Sequence, residues 1–228
     1  MGNLRPMRML HIELFVLALG LTTPAMAQYL NPRVTIFAAG SFLRGDRAFI
    51  ADDDPFLSEF DNSARIGFRG TGDLTDFWAL EVNYAFSGHD LRITKLDEFP
   101  HEERPFPISV HQLFGNGLYY FSSPDKTLRP FVTVGIGWTR FSPTDQAKVL
   151  ALADEFIEDR TRLASSDRFG LAFGVGVEGR VNRWVGVRTD LRDYVTGIPR
   201  FGLPEFSFPV SGSIHNVEAS VGVVFYVP

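Results

Sequence analysis

The sequence predicts an all-β chain, an eight-stranded antiparallel up-and-down transmembrane β-barrel with a short helix in its third outer loop. Three observations carry this expectation: period-two alternation recurs along the chain, the bulky apolar residues keep to one face of each candidate strand, and the connections alternate between long and short. With 22 Phe and 21 Gly, the composition suits aromatic, glycine-rich β-structure.

The segment Phe77 to Phe86 shows the alternation best. Trp78, Leu80, Val82, Tyr84 and Phe86 stand against Ala79, Glu81, Asn83 and Ala85, and successive strand residues point to opposite sides. The same split sets Ile66 and Phe68 against Arg65 and Arg69, and Leu171 and Phe173 against Gly170 and Ala172. It also sets Val187 and Leu191 against Arg188, Asp190 and Arg192, and Val221 and Val223 against Ser220 and Gly222. Alternation alone does not say which face is inside. A face that mixes glycine with Arg and Glu fills a narrow polar interior but covers a soluble surface poorly, so the bulky faces are expected to meet lipid. Backbone groups in hydrocarbon must all be paired, which requires the sheet to close on itself.

The expected strands run Val34 to Leu43, Ala64 to Thr71, Phe77 to Phe86, Val110 to Phe121, Pro130 to Phe141, Phe169 to Glu178, Val185 to Tyr194 and Val217 to Val227. Between them, the segments from Arg44, Ser87, Ser142 and Val195 are long. Those at Gly72-Asp73, Ser123-Pro124-Asp125 and Val181-Asn182-Arg183 are short and carry turn-forming residues. Long and short connections therefore fall on opposite ends, the short ones on the periplasmic side.

Residues 1–27 are expected to be a cleaved secretory signal: Arg5 and Arg8 lead the apolar run Leu14 to Leu21, and small residues through Ala25 and Ala27 precede Gln28. The barrel is then assigned to residues 28–228. The apolar run is far shorter than the ~20 residues that cross a bilayer as a helix, and no other stretch is long enough. The absence of Cys excludes disulfide scaffolds, thiolate metal sites and cysteine nucleophiles. Lys and Arg total 22 against 27 Asp and Glu, so no nucleic-acid surface is implied.

An eight-stranded barrel is just wide enough for its own side chains. Arg65, Arg69, Glu81, Glu178, Arg188, Asp190, Arg192 and Glu218 all fall on the inward face, and charges confined there survive only when paired. They are expected to form a polar lumen network, either a structural plug or a gated path made by re-pairing the ions. Ser213 and His215, two apart near the outer end of the last strand, could serve as nucleophile and base of a lipid hydrolase, without an identified acidic partner. His89, His101 and His111 lack metal-ligand spacing. Asp52, Asp53 and Asp54, and the group Asp97, Glu98, Glu102 and Glu103, lie on outer loops as solvated acids; neither metal nor cofactor is expected. In the third outer loop, Val149, Leu152, Ala153, Phe156 and Ile157 make a helical stripe after the capping segment Ser142-Pro143-Thr144-Asp145.

The stretches Arg129-Pro130-Phe131-Val132-Thr133-Val134-Gly135-Ile136-Gly137-Trp138 and Val187-Arg188-Thr189-Asp190-Leu191-Arg192-Asp193-Tyr194, with the last strand, carry a resemblance. The chain resembles the small eight-stranded outer-membrane β-barrels that include the OmpA transmembrane domain. The resemblance implies that Ser220, Gly222, Phe225 and Val227 form a C-terminal assembly signal, here with Val227 in place of a terminal aromatic and Pro228 after it. It further implies placement in the outer membrane of a Gram-negative-type envelope, monomeric, with outer-membrane lipid, lipopolysaccharide and the barrel-assembly machinery as partners. The expected function is non-enzymatic, in envelope structure or surface interaction. A small gated, porin-like path for small solutes is the alternative, and the lipid hydrolase the third reading.

Overall fold

A computed structural model describes residues 31–45, 56–95, 103–153, 163–199, 201 and 212–227. The expected signal segment, the acidic residues Asp52 to Asp54, Asp97, Glu98 and Glu102, and His101, Phe156 and Ile157 lie outside them.

The elements are β1 (Arg33–Gly45), β2 (Phe56–Phe60), β3 (Ser63–Asp73), β4 (Trp78–Lys95), β5 (Glu103–Tyr120), β6 (Leu128–Pro143), α1 (Asp145–Ala153), β7 (Ser166–Arg180), β8 (Val185–Gly197) and β9 (Ser213–Tyr226). All pairings are antiparallel. From β3 onward neighbours in sequence pair with each other, β1 pairs with β3 and with β9, and β2 pairs with β4, so the sheet closes. β2 pairs with the upper part of β4, through Phe60↔Leu91, and β3 with the lower part, through Arg65↔Ser87. Together β2 and β3 form one stave, and the nine segments make an eight-staved barrel.

The strands outrun their expected bounds at the long-connection end. β4 and β5 have 18 residues each, well beyond the ~9–11 that span a bilayer, so part of each long connection is barrel wall above the membrane. The alternation was hidden there because the outward face turns polar at Gly88, Asp90 and Arg92, and Pro105 and Pro107 sit on the outward side of β5. Gly72 and Asp73 belong to β3 rather than to a turn, because Asp73 points inward to two arginines. The turn itself is Leu74–Phe77, closed by Thr75 Oγ1 accepting from the Trp78 amide at 3.0 Å. Asn182 Oδ1 closes the β7–β8 turn by accepting from the Trp184 and Val185 amides at 2.7 and 2.9 Å. In the β5–β6 turn the Ser123 hydroxyl donates to the exposed Asp125 carboxylate and holds its pKa below the usual range.

The burial pattern settles the faces. Leu80, Val134 and Val221 are 56%, 66% and 55% exposed, whereas Glu81, Arg188 and Glu218 are 2%, 1% and 0% exposed. An apolar exterior around a charged interior inverts the order of a soluble protein and matches a wall facing lipid. Aromatic residues edge the apolar band: Trp78, Phe77, Tyr119 and Phe121 contact one another near the short turns, and Phe68, Tyr84, Phe86 and His111 do so further up. Among the described residues, no helix is long and apolar enough to cross a membrane.

α1 is present, and of the expected stripe only the Val149 side chain lies among those described. Thr144 Oγ1 caps it by accepting from the Ala147 amide at 3.2 Å, while Ser142 and Pro143 remain in β6. Ala147 is buried against the barrel mouth and Val149 is exposed.

Candidate functional site

The lumen contains two ion clusters and an apolar stopper, stacked along the barrel. Nearest the short turns, Arg33 Nη1 donates to Asp73 Oδ1 at 2.8 Å and Arg33 Nε to Glu178 Oε2 at 3.2 Å. Arg129 Nη1 reaches Asp73 Oδ2 at 3.3 Å. The Tyr120 hydroxyl knits this cluster, accepting from Arg33 Nη2 at 2.7 Å and donating to Glu178 Oε2 at 3.1 Å, and the Arg129 guanidinium lies 3.8 Å from the Tyr120 ring centre.

In the middle layer, Glu81 faces Arg188 Nη1 and Arg192 Nη1, each at 2.8 Å; the Arg188 contact is an ion pair without hydrogen-bond alignment. Asp190 is held by Arg188 at 3.0 Å and Arg192 at 2.9 Å from its own strand, and by Arg69 at 2.9 Å from across the lumen. Glu218 takes Arg69 Nη2 at 2.5 Å and Arg65 Nη1 at 3.0 Å. Burying a charge at mid-membrane is tolerable only with this kind of pairing, and shared carboxylates let a few acids serve more arginines. Aromatic rings add to the compensation: the Arg69 and Arg188 guanidiniums lie 3.8 and 4.4 Å from the Phe37 and Phe131 ring centres.

Above this layer Asn83 Nδ2 donates to the Tyr194 hydroxyl at 3.0 Å and Ser41 Oγ to Asn216 Oδ1 at 2.8 Å. His89 Nδ1 lies 2.7 Å from the Asp61 carbonyl, and its Nε2 3.1 Å from Ser87 Oγ. At the mouth, Leu91, Phe106, Ile108, Phe141, Ile198 and Ile214 pack into one apolar cluster with Leu43, Val110, Ala147 and Phe201.

All eight residues expected in the lumen lie there buried. Arg65, Arg69, Glu81, Arg188, Asp190, Arg192 and Glu218 form the middle layer, and Glu178 belongs to the lower cluster. Arg33, Asp73, Tyr120 and Arg129 were missed. Arg33 sits one residue before the expected start of its strand, Arg129 one before Pro130, and Asp73 was read as turn. Continuing the inward phase past each strand end would have found all three. The inward faces also carry Phe37, Phe114 and Phe131. These rings fill space that inward glycines leave: a Cβ on Gly176 would collide with the Phe131 ring, and one on Gly67 with Phe37.

Ser213 and His215 lie on the outer face of β9. His215 Nδ1 lies 2.7 Å from Asp193 Oδ2, but no hydrogen bond joins Ser213 to His215. His111 Nδ1 lies 2.8 Å from the outward Tyr84 hydroxyl. Among the described residues there is no group of three metal-ligating side chains. Of the expected assembly signal, Ser220 and Gly222 face inward and Phe225 outward, and the Val227 amide donates to the Pro32 carbonyl at 2.9 Å.

A closed eight-staved barrel with charges inside and an apolar outer wall matches what the comparisons return. The family described as the outer membrane protein beta-barrel domain matches residues 14–225. The chain belongs to this family. The outer-membrane barrel also resembles the outer membrane protein OprG from Pseudomonas aeruginosa, at a TM-score of 0.59 and 14% identity over 87% of this chain and 97% of that one. The outer membrane protein AlkL, solved in DMPC lipid bilayers, gives 0.56 and 14% over 100% and 97%. Neisserial surface protein A gives 0.52 and 12% over 86% and 97%. At these identities the likeness is one of fold. No curated protein matches the sequence. The family places this barrel in the cell outer membrane, and its description names a barrel and no reaction.

Proposed function

We propose that this outer-membrane barrel is a non-conducting, non-enzymatic scaffold that holds an extended rim outside the membrane for envelope structure or surface interaction. The lumen's contents carry this reading: two layers of interlocked ion pairs and an apolar stopper occupy the barrel in series, leaving re-pairing of the ions insufficient to open a path. The wall that β4 and β5 raise beyond bilayer height provides the displayed surface. A Gram-negative-type envelope, export by a cleaved signal and assembly through the C-terminal strand belong to the same reading, as does a monomer contacting outer-membrane lipid and lipopolysaccharide. In planar bilayers the purified protein is expected to remain silent under voltage. Discrete conductance steps from folded protein would overturn the scaffold reading in favour of a gated pore.

A further inference from the structure

The two ion clusters differ in charge. In the lower one Arg33 and Arg129 face Asp73 and Glu178, and the charges cancel. In the middle layer Arg65, Arg69, Arg188 and Arg192 face Glu81, Asp190 and Glu218, all with side chains at 0% exposure. Among the described residues this layer therefore carries four guanidiniums against three carboxylates, an excess of one positive charge at mid-membrane.

The excess resolves onto one residue. Arg69 bridges Asp190 and Glu218, and Arg188 and Arg192 each touch both Glu81 and Asp190. Arg65 touches Glu218 alone, which it shares with Arg69. Its Nη1 is used there, whereas Nε and Nη2, the two donors along the side edge of the guanidinium, are buried without a partner among the described residues. Asn216, one inward position further out on β9 than Glu218, is in the same condition: Ser41 uses its Oδ1 and its Nδ2 is unpartnered. Unpaired buried donors on an uncompensated charge are among the costliest features a folded protein carries.

We propose that the Nε–Nη2 edge of Arg65 binds one small monovalent anion of the halide class inside the barrel. The charge must be single, because a divalent anion would reverse the imbalance. The anion must be small, because the Tyr194 ring centre lies 5.6 Å from Arg65 Cζ and the surrounding lumen is packed. The site is independent of conduction, since a resident counter-ion needs no path through the barrel.

Urea unfolding of the refolded protein in non-ionic detergent tests this, with sodium chloride compared against sodium gluconate at equal ionic strength. Chloride at ten times its dissociation constant is expected to raise the folded-to-unfolded ratio about tenfold. Arg65→Gln removes the excess charge and is expected to abolish the chloride effect. Ala39→Asp is expected to abolish it too, because Ala39 is the cross-strand partner of Arg65 and the new carboxylate supplies the counter-charge internally. Bromide crystals of the unmodified protein should show an anomalous peak at the Arg65 edge. Equal stability of the unmodified protein in chloride and gluconate, or a chloride effect that survives Arg65→Gln, would overturn the proposal.

Discussion

Asp190 lies 2.9 Å from Arg69 across the lumen, so a carboxylate on β8 ties down the opposite wall of the barrel while Arg188 and Arg192 hold it from its own strand. Asp190→Asn leaves the four buried guanidiniums of the middle layer with two carboxylates between them. It is expected to destabilise the barrel by about 3–5 kcal/mol, the usual result of removing one partner from a buried ion network. Urea titration of refolded protein measures this. Replacing Asp190 and Arg69 together by apolar residues should cost less than Asp190→Asn alone, because the pair leaves together.

The lipid-facing assignment predicts that Leu80→Arg or Phe173→Arg blocks assembly, since a cation at mid-bilayer on this face costs ~2–4 kcal/mol. Single cysteines in this Cys-free chain give a second readout. At Leu80, Val82, Leu171 and Phe173 they should respond to lipid-attached quenchers and resist water-soluble maleimide, whereas one replacing Glu81 should not meet the quencher.

Three barriers in series predict a non-additive conductance pattern. Arg188→Ala with Arg192→Ala, or Ile108→Ser with Phe106→Ser, should each leave the protein silent in a planar bilayer, because the remaining barriers still close the lumen. Discrete openings should require these four changes combined with Arg33→Ala and Arg129→Ala, which dismantle the lower cluster. Conductance from either pair alone would show that one layer is the whole seal.

Gly176 and Phe131 are cross-strand partners whose fit depends on the missing Cβ. Gly176→Val should destabilise by about 1–3 kcal/mol through overpacking. Phe131→Ala, costly by itself, should recover part of that loss when combined with it, as read by the temperature at which the folded band disappears on a gel.

The exposed His215–Asp193 pair, with Ser213 on the same face, invites a direct assay. Labelled lipopolysaccharide incubated with folded protein is expected to release no fatty acid, and Ser213→Ala to leave stability unchanged. Release abolished by Ser213→Ala would reassign the protein as a lipid hydrolase.

Period-two patterning by itself determined the barrel, its eight staves, the lipid face and the eight charged lumen residues, because strand geometry sends alternate side chains to opposite faces and a bilayer admits only a closed sheet. Glu81 and Leu80 are adjacent in sequence yet face opposite solvents, and their types suffice to say which. Only the tertiary structure decided which arginine meets which carboxylate. Arg69 reaches Asp190 and Glu218, which lie far along the chain, through the curvature of the closed wall rather than through any spacing in the sequence. The same holds for the Arg33–Tyr120–Glu178 group and the apolar stopper, whose members come from several staves. The strand ends above the membrane were likewise decided in three dimensions. There water meets the outer face, apolar side chains are no longer required on it, and pairing with the neighbouring strands keeps the backbone extended.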